Sequence, residues 1–358
     1  MNEKIPKKAI VIGAGIAGLS VAIRLQNEGF QVAVFESNEY PGGKLTDLSK
    51  EGYRFDMGPS LFTMPQFVEE LFTVSKKNIK DYFSYKKKET VCHYFYKDGT
   101  TFKALSDVNK FARSAAKTFD VDEDELVNYF QKSKKKYELT SSLFLEKSLH
   151  KLSTYFSKDT LTAVFNVNSL DINTTLHDYN ADCFKDSRLV QLFDRYATYN
   201  GSSPYQTPGI MSMIPHLEQY YGTFFPKGGM HSITQSIYKL AIDLGVEFNF
   251  NSKVDKIHVL DKKAIGISTN TKDYFAEYVI SNSDVVPTYR TLLKDQKSPE
   301  KTLQQPRSSS ALIFYWGIKK EFPSLDLHNI FFSDDYKQEF DHIFSKQEVY
   351  KDPTVYVN

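Results

Sequence analysis

The chain has 358 residues, enough for two domains and a sizeable core. Its formal net charge of +1, from 45 basic and 44 acidic side chains, argues against a general nucleic-acid binder. Two cysteines, Cys92 and Cys183, make neither a disulfide framework nor a zinc site, no apolar run is long enough to span a bilayer, and the short stretch before the first strand is expected to leave no room for a signal peptide.

Ala9–Ile12 is a short apolar run, as expected of a strand buried on both faces. Gly13, Gly15 and Gly18 follow: the first for a tight turn, the second for close approach of the backbone to a pyrophosphate, the third for packing of the next helix on the strand. Ile16–Asn27 is predicted as that helix, with Leu19, Ala22, Ile23 and Leu25 on or near one apolar face and Gly29 as its stop. Gln31–Phe35 is a second strand, and Glu36 stands at its end. There a carboxylate can accept hydrogen bonds from the ribose hydroxyls and repels a 2′-phosphate. A lone GxGxxG is a weak pattern. With strand, helix, second strand and acid in place, it predicts a site for an unphosphorylated adenosine ribose, as in FAD or NAD.

SNEYPGGKL, at 37–45, is rich in turn formers, Gly52–Met57 reads as a strand running into Gly58-Pro59, and Gln66–Phe72 begins a helix. Cys92–Tyr96 and Thr100–Phe102 flank Lys97-Asp98-Gly99, a hairpin signal. From Leu105 to about Arg195 the chain is predicted mostly helical, with Asp122, Glu123, Asp124 and Glu125 placing negative charge at a helix start. QKSKKK at 131–136 precedes the apolar pieces Leu143–Leu145 and Leu149–Phe156. Two readings stand for it: a solvated helix packed on its own domain, or an interfacial helix with Lys134, Lys135, Lys136, Lys147 and Lys151 near anionic headgroups. FFPKGG at 224–229 is loop, followed by a helix through Ala241. Gly245–Phe250, Ser252–Val259, Ala264–Ser268 and Tyr278–Ser281 are predicted strands.

The β/α style of the N-terminus thus returns after residue 224. The simplest architecture is an α/β chain with a discontinuous Rossmann-like domain, 1–75 and 224–290. A substrate domain of mixed sheet and helices, 76–223 and 291–358, is inserted, with 105–195 mostly helical and a candidate membrane-facing part. The 28 Phe and 23 Tyr reflect composition bias or a long apolar channel. The eight histidines show no metal spacing, and GxSxG, HExxH and cysteine–histidine motifs are absent. No metal is therefore expected, and the sequence shows no catalytic-dyad motif.

GAGIAG at 13–18 with Glu36, PGGK at 41–44, GYRFDMGPS at 52–60, FPKGGM at 225–230 and SKVDKI at 252–257 occur in that order. Together they resemble the FAD-dependent carotenoid desaturases of the bacterial phytoene-desaturase type, within the flavin amine oxidase superfamily. The resemblance implies FAD held by Gly13, Gly15, Ala17, Gly18 and Glu36, with Gly42, Gly43 and Lys44 near the pyrophosphate. It also implies Gly58, Pro59 and Ser60 beneath the flavin ring, and Val254 offering its backbone to adenine. An ordinary turn at PGG, a plain strand end at Gly58-Pro59 and a core valine at 254 are the alternatives. Gly228 and Gly229 would face the flavin from the substrate side. Leu61, Phe62, Phe224 and Phe225 would line an apolar tunnel, or belong to the core.

The implied reaction removes two hydrogens from a carbon–carbon bond beside a polyene, with hydride passing to flavin N5. Charge delocalised over the polyene makes a strong protein base unnecessary. DMGPSLFTMP at 56–65 looks most like the 1-hydroxycarotenoid 3,4-desaturases, and phytoene desaturases come second. A bilayer-dissolved C40 substrate implies a cytoplasmic enzyme peripheral to the inner face of the cell membrane, reoxidised by quinone or oxygen. The rival readings are a carotenoid isomerase, a flavin amine oxidase and a non-catalytic prenyl-binding protein. Family members continue well beyond the PTVYVN at 353–358 with a segment that covers the flavin ribityl chain. A C-terminally truncated chain is therefore expected.

Overall fold

The computed structural model describes residues 6–141, 151, 166, 169–305, 307 and 310–358. Contacts divide the chain into two compact units, 1–86 with 224–306 and 87–223 with 307–358.

The first unit is organised by four parallel strands in the order Tyr278–Ser281, Lys8–Ile12, Gln31–Phe35, Glu247–Asn249. Alternation along the first strand sends its side chains into two cores. Ala9 and Val11 meet Leu19, Ala22 and Ile23 of the helix Ile16–Asn27, together with Ile233, Ile237 and Leu240 of the helix His231–Asp243. Ile10 and Ile12 face the other way, with Phe35, toward Val254, Ile257 and Ile267. Those last residues belong to a separate antiparallel sheet, Val254–Leu260, Lys263–Thr269 and Asp273–Phe275. Burial on both faces is why the opening strand reads as a continuous apolar run, and each fully buried Ile or Val contributes about 1.5–3 kcal/mol. The predicted strand Gly52–Met57 is found as Tyr53–Met57, paired with Thr46–Lys50. The partner TDLSK is too polar to show a strand pattern.

The second unit is built on a mixed sheet in the order Val355–Val357, Asn329–Phe331, Thr90–Phe95, Thr101–Leu105. The Lys97-Asp98-Gly99 hairpin forms as predicted, with the Asp98 carboxylate accepting from Thr100 N at 2.8 Å. The helices Val108–Phe119, Glu123–Ser141, Leu176–Cys183 and Ser187–Asp194 cover this sheet. Their core is largely aromatic: Tyr94, Phe102, Phe111, Phe119, Tyr129 and Phe193 are all fully buried. Much of the aromatic content is thus packing.

One expectation is corrected here. Lys136 does not face outward toward headgroups. On the helix Glu123–Ser141 the inward positions are Leu126, Tyr129, Phe130, Ser133, Lys136, Tyr137 and Thr140, a helical stripe that includes the lysine. Its ammonium pairs with Asp171 at 2.7 Å, donates to Ser212 Oγ at 2.6 Å and lies 3.6 Å from the Tyr179 ring centre. Burial pulls the Lys136 pKa down and Asp171 opposes it. Lys134, Lys135 and Lys151 are exposed. Lys147, Leu143–Leu145 and 152–156 lie outside the described residues, as does Leu149. Among the described residues no helix is long and apolar enough to cross a membrane.

Candidate active site

The parallel strands of the first unit end together, which brings their loops to one edge. Gly13 N donates to Phe35 O at 2.8 Å, closing the turn after the first strand. A Cβ on Gly18 would stand 2.1 Å from Gly13 O, so only glycine lets the helix start this close to the strand. Ala17 is exposed at the first turn of that helix. The PGG loop lies directly on the glycine turn: Gly42 N donates to Ala14 O at 2.8 Å, and Gly15 and Gly42 form a parallel bridge. Gly43 and Lys44 beside it are exposed.

Glu36 is buried at the same edge. Its carboxylate accepts from Ala14 N at 2.8 Å, Asn38 N at 2.9 Å and Ser37 Oγ at 3.0 Å. Three donors on roughly four acceptor positions leave room for a ribose hydroxyl. Glu36 therefore shapes the glycine turn as well as marking the ribose position. Ser252 N donates to Glu36 O at 2.8 Å, which starts the strand of Val254 beside this corner. The Val254 side chain itself is core, and its residue pairs with Thr269.

Glu36→Ala is expected to weaken flavin binding at least tenfold, because charge-assisted hydrogen bonds are each worth about 1.5–3 kcal/mol. The check is the Kd for FAD of the apoprotein, with Tm recorded alongside.

Sequence reasoning missed two residues. Asn282 follows the strand Tyr278–Ser281, and its N–H donates to Ile12 O at 2.9 Å. Its side-chain amide stands within 3.1 Å of where a Cβ on Gly15 or Gly18 would lie, and so limits the glycine turn from above. The available signal was a polar residue ending a buried strand parallel to the first. The second is Asp56 of GYRFDMGPS. Its carboxylate accepts from Met230 N at 2.8 Å and His231 N at 3.0 Å, at the start of the helix His231–Asp243. Arg54 pairs with Asp56 at 2.8 Å and with Asp47 at 3.0 Å, and His231 Nδ1 lies 2.5 Å from Asp47. Thr234 Oγ1 in the same helix donates to Leu45 O at 2.7 Å. The structure thus brings FPKGGM, distant in sequence, against PGGK and FDMGPS.

Burial raises the Asp56 pKa, but the His231 and Met230 amides and Arg54 outweigh it and hold the carboxyl below its ordinary value. A carboxylate whose folded pKa is depressed stabilises above its unfolded pKa and loses that contribution as pH falls through the folded one. Asp56→Asn should therefore cost about 1–3 kcal/mol at pH 7, with the gap from the parent closing below about pH 4. Chemical denaturation across that range checks both the size and the sign.

Phe62 and Phe224 are placed together: Phe224 N donates to Phe62 O at 2.8 Å. The Phe62 ring packs edge-on against Phe83, Tyr85 and Phe224, and the residue is buried. Phe62 is thus a core residue of the first unit, and Leu61 and Phe225 are half-buried. Gly58, Pro59 and Gly228 are exposed and Ser60 is half-buried, while Gly229 packs against Arg54 and Asp56. Among the described residues no cluster of potential metal ligands occurs.

A glycine turn that a Cβ would obstruct, a second glycine loop bonded onto it and a buried carboxylate at the neighbouring strand end fit the pyrophosphate and ribose of FAD. Residues 16–316 match the family model described as flavin containing amine oxidoreductase. The chain belongs to this family, and its cofactor is FAD.

Within the family, it is 57% identical over 98% of its length to a 1-hydroxycarotenoid 3,4-desaturase of Flavobacterium sp. (strain P99-3), of which it covers 72%. It is 33% identical to a 4,4'-diapolycopene oxygenase of Methylomonas sp, over 100% of this chain and 72% of the relative. Among solved structures, an oxidoreductase from Methanosarcina mazei superposes with a TM-score of 0.54 at 19% identity, over 82% of this chain and 63% of that one. A putrescine oxidase triple mutant gives 0.53 at 14% identity, over 80% and 59%. The chain thus spans less than two thirds of these two solved chains.

Proposed function

We propose that this chain carries out the FAD-dependent dehydrogenation of a carotenoid, and that its substrate is a 1-hydroxycarotenoid desaturated at the 3,4 position. The observation that carries this reading is the 57% identity to a 1-hydroxycarotenoid 3,4-desaturase, sustained over 98% of the chain. Gly13, Gly15, Ala17 and Gly18 would cradle the pyrophosphate with Gly42, Gly43 and Lys44. Glu36 would take the ribose, and Val254 would lie by the adenine. Bound FAD supplies the two-electron oxidant.

The chain's own task is positioning. Asp56 holds the loop before the helix His231–Asp243 against FDMGPS, so Gly58, Pro59 and Ser60 keep a fixed place relative to Gly228 and Gly229. Removal of the proton needs no strong base where the polyene spreads the positive charge. We also place the enzyme peripherally on the inner face of the cell membrane, where the substrate dissolves. Exposed Lys134 and Lys135 suit anionic headgroups, and quinone or oxygen suits reoxidation.

The test is expression in three bacterial hosts, accumulating phytoene, a 1-hydroxycarotenoid or neither. Loss of two hydrogens with a red-shifted spectrum in the 1-hydroxycarotenoid host alone is the expected result. A folded, flavin-bound protein that changes no pigment sinks the proposal.

A further inference from the structure

The run ALIFYWGI at 311–318 belongs to the second unit, and its composition is that of a buried strand. It is not buried. Leu312, Phe314 and Trp316 are 77%, 67% and 72% exposed, and Ile313 and Ile318 are exposed as well. The run forms no helix and pairs with no strand among the described residues. Large apolar side chains and an unpaired backbone thus reach solvent together, a combination that natural proteins avoid at a free strand edge.

The exposed side chains form a side of their own. Phe314 and Trp316 lie together, with ring centres 6.3 Å apart, and Leu312 stands at the same period of two. Tyr315, between the two rings in sequence, is half-buried. The most exposed set is therefore Leu312, Phe314 and Trp316, centred on Phe314. Aromatic side chains carry about 150–250 Å² each, so the five exposed residues offer roughly 600 Å². Two such surfaces would bury about 1,200 Å², where the range of specific interfaces begins.

A bilayer would cover these side chains, and Lys319 and Lys320 follow the run. It would not pair the backbone, since a lone strand in an apolar medium leaves its N–H and C=O groups unsatisfied. A second strand of the same kind answers both needs. We propose that ALIFYWGI is a self-association strand, which pairs antiparallel with the same run of a second copy of this chain about a two-fold axis at Phe314. The contact is isologous. Phe314 lies opposite Phe314 of the partner subunit, and Leu312 lies opposite Trp316 of the partner subunit. Cross-strand pairs of this kind stabilise sheets.

Sedimentation of the purified chain across the micromolar range reads the association. Trp316 is the sole tryptophan, so its emission reports on the same strand. The expected result is a dimer that dissociates on dilution, with the Trp316 emission moving to the red as it does. Phe314→Glu sets two carboxylates against each other at the axis and should raise the dissociation constant at least about tenfold. Because Phe314 is exposed, the Tm of dilute protein should not change. Phe314→Cys and Ile318→Cys read the register. Residues opposed at the axis have Cα atoms about 4.5–5.5 Å apart, within disulfide range. The two copies of residue 318 stand roughly 26 Å apart along the pair. Under diamide, Phe314→Cys should give a covalent dimer. Ile318→Cys should give no more than the parent, whose Cys92 is buried and Cys183 half-buried.

A chain that sediments as a monomer throughout the range would overturn the proposal. So would a dimer that Phe314→Glu leaves intact, because it must use another surface. Cross-linking of Ile318→Cys as strong as that of Phe314→Cys would overturn the antiparallel pairing. A monomer whose Trp316 emission turns blue with anionic phosphatidylglycerol vesicles would make a lipid surface the occupant instead.

Discussion

Glu218→Ala should destabilise the protein by about 3–5 kcal/mol, the cost of leaving one member of a buried ion pair alone. The pair is Arg195 Nη2 to Glu218 Oε2 at 2.7 Å, with side chains 9% and 2% exposed. The same carboxylate accepts from Tyr196 OH at 2.7 Å and from Tyr199 OH. Arg195 Nε donates to Tyr94 OH at 2.6 Å, and its guanidinium lies 4.3 Å from the Tyr196 ring centre. Burial works against the Arg195 charge, but Glu218 and the tyrosines around it keep the guanidinium protonated. Removing Glu218 therefore strands a cation and three hydroxyl or guanidinium donors in an aromatic core. The Arg195→Met, Glu218→Leu double variant removes both charges together, and should recover most of the loss because the desolvation penalty goes with the pair. Urea denaturation of the parent, single and double variants checks this. A single variant within about 1 kcal/mol of the parent would show that the pair is solvated.

Gly58→Ala should cost about 3 kcal/mol and leave the purified protein with little flavin. Gly58 has φ of +87°, and a Cβ there would stand 1.8 Å from Lys44 O. The clash meets backbone rather than a flexible side chain. That backbone is held, since Thr234 Oγ1 donates to Leu45 O at 2.7 Å. Relief must therefore move PGGK or FDMGPS, the two loops expected around the cofactor. The ratio of flavin to protein absorbance, with Tm, reads both effects. Full flavin content at the parental Tm would show that the loops yield without consequence.

This second case also shows why a glycine can be legible while its reason is not. FDMGPS marks Gly58 in the sequence, where the family resemblance implies a turn beneath the flavin. The close approach of Lys44 O appears only when the strands Thr46–Lys50 and Tyr53–Met57 pair. Asp56 was hidden for a similar reason. An acid inside a strand reads as surface, and its partners, Met230 N and His231 N, lie more than 170 residues away. Lys136 was misplaced because a lysine in QKSKKK looks solvated by composition. Helical periodicity puts it on the inward face, but an inward lysine is credible only once Asp171 and Ser212 are known to meet it.

The sequence by itself determined the dinucleotide half of this protein. GAGIAG, the two flanking apolar strands and Glu36 are consecutive, and local sterics and side-chain alternation specify them without distant partners. The hairpin around Lys97-Asp98-Gly99 was determined in the same way. Only the tertiary structure decided how PGGK, FDMGPS and FPKGGM meet, that Asn282 stands over the glycine turn, and that Arg195 and Glu218 share a buried aromatic site. It alone also set Gln219, Thr223 and His328 in the interior. These are non-local facts: burial and hydrogen-bond partnership depend on which segments the packed core brings together, and no window of sequence carries that information.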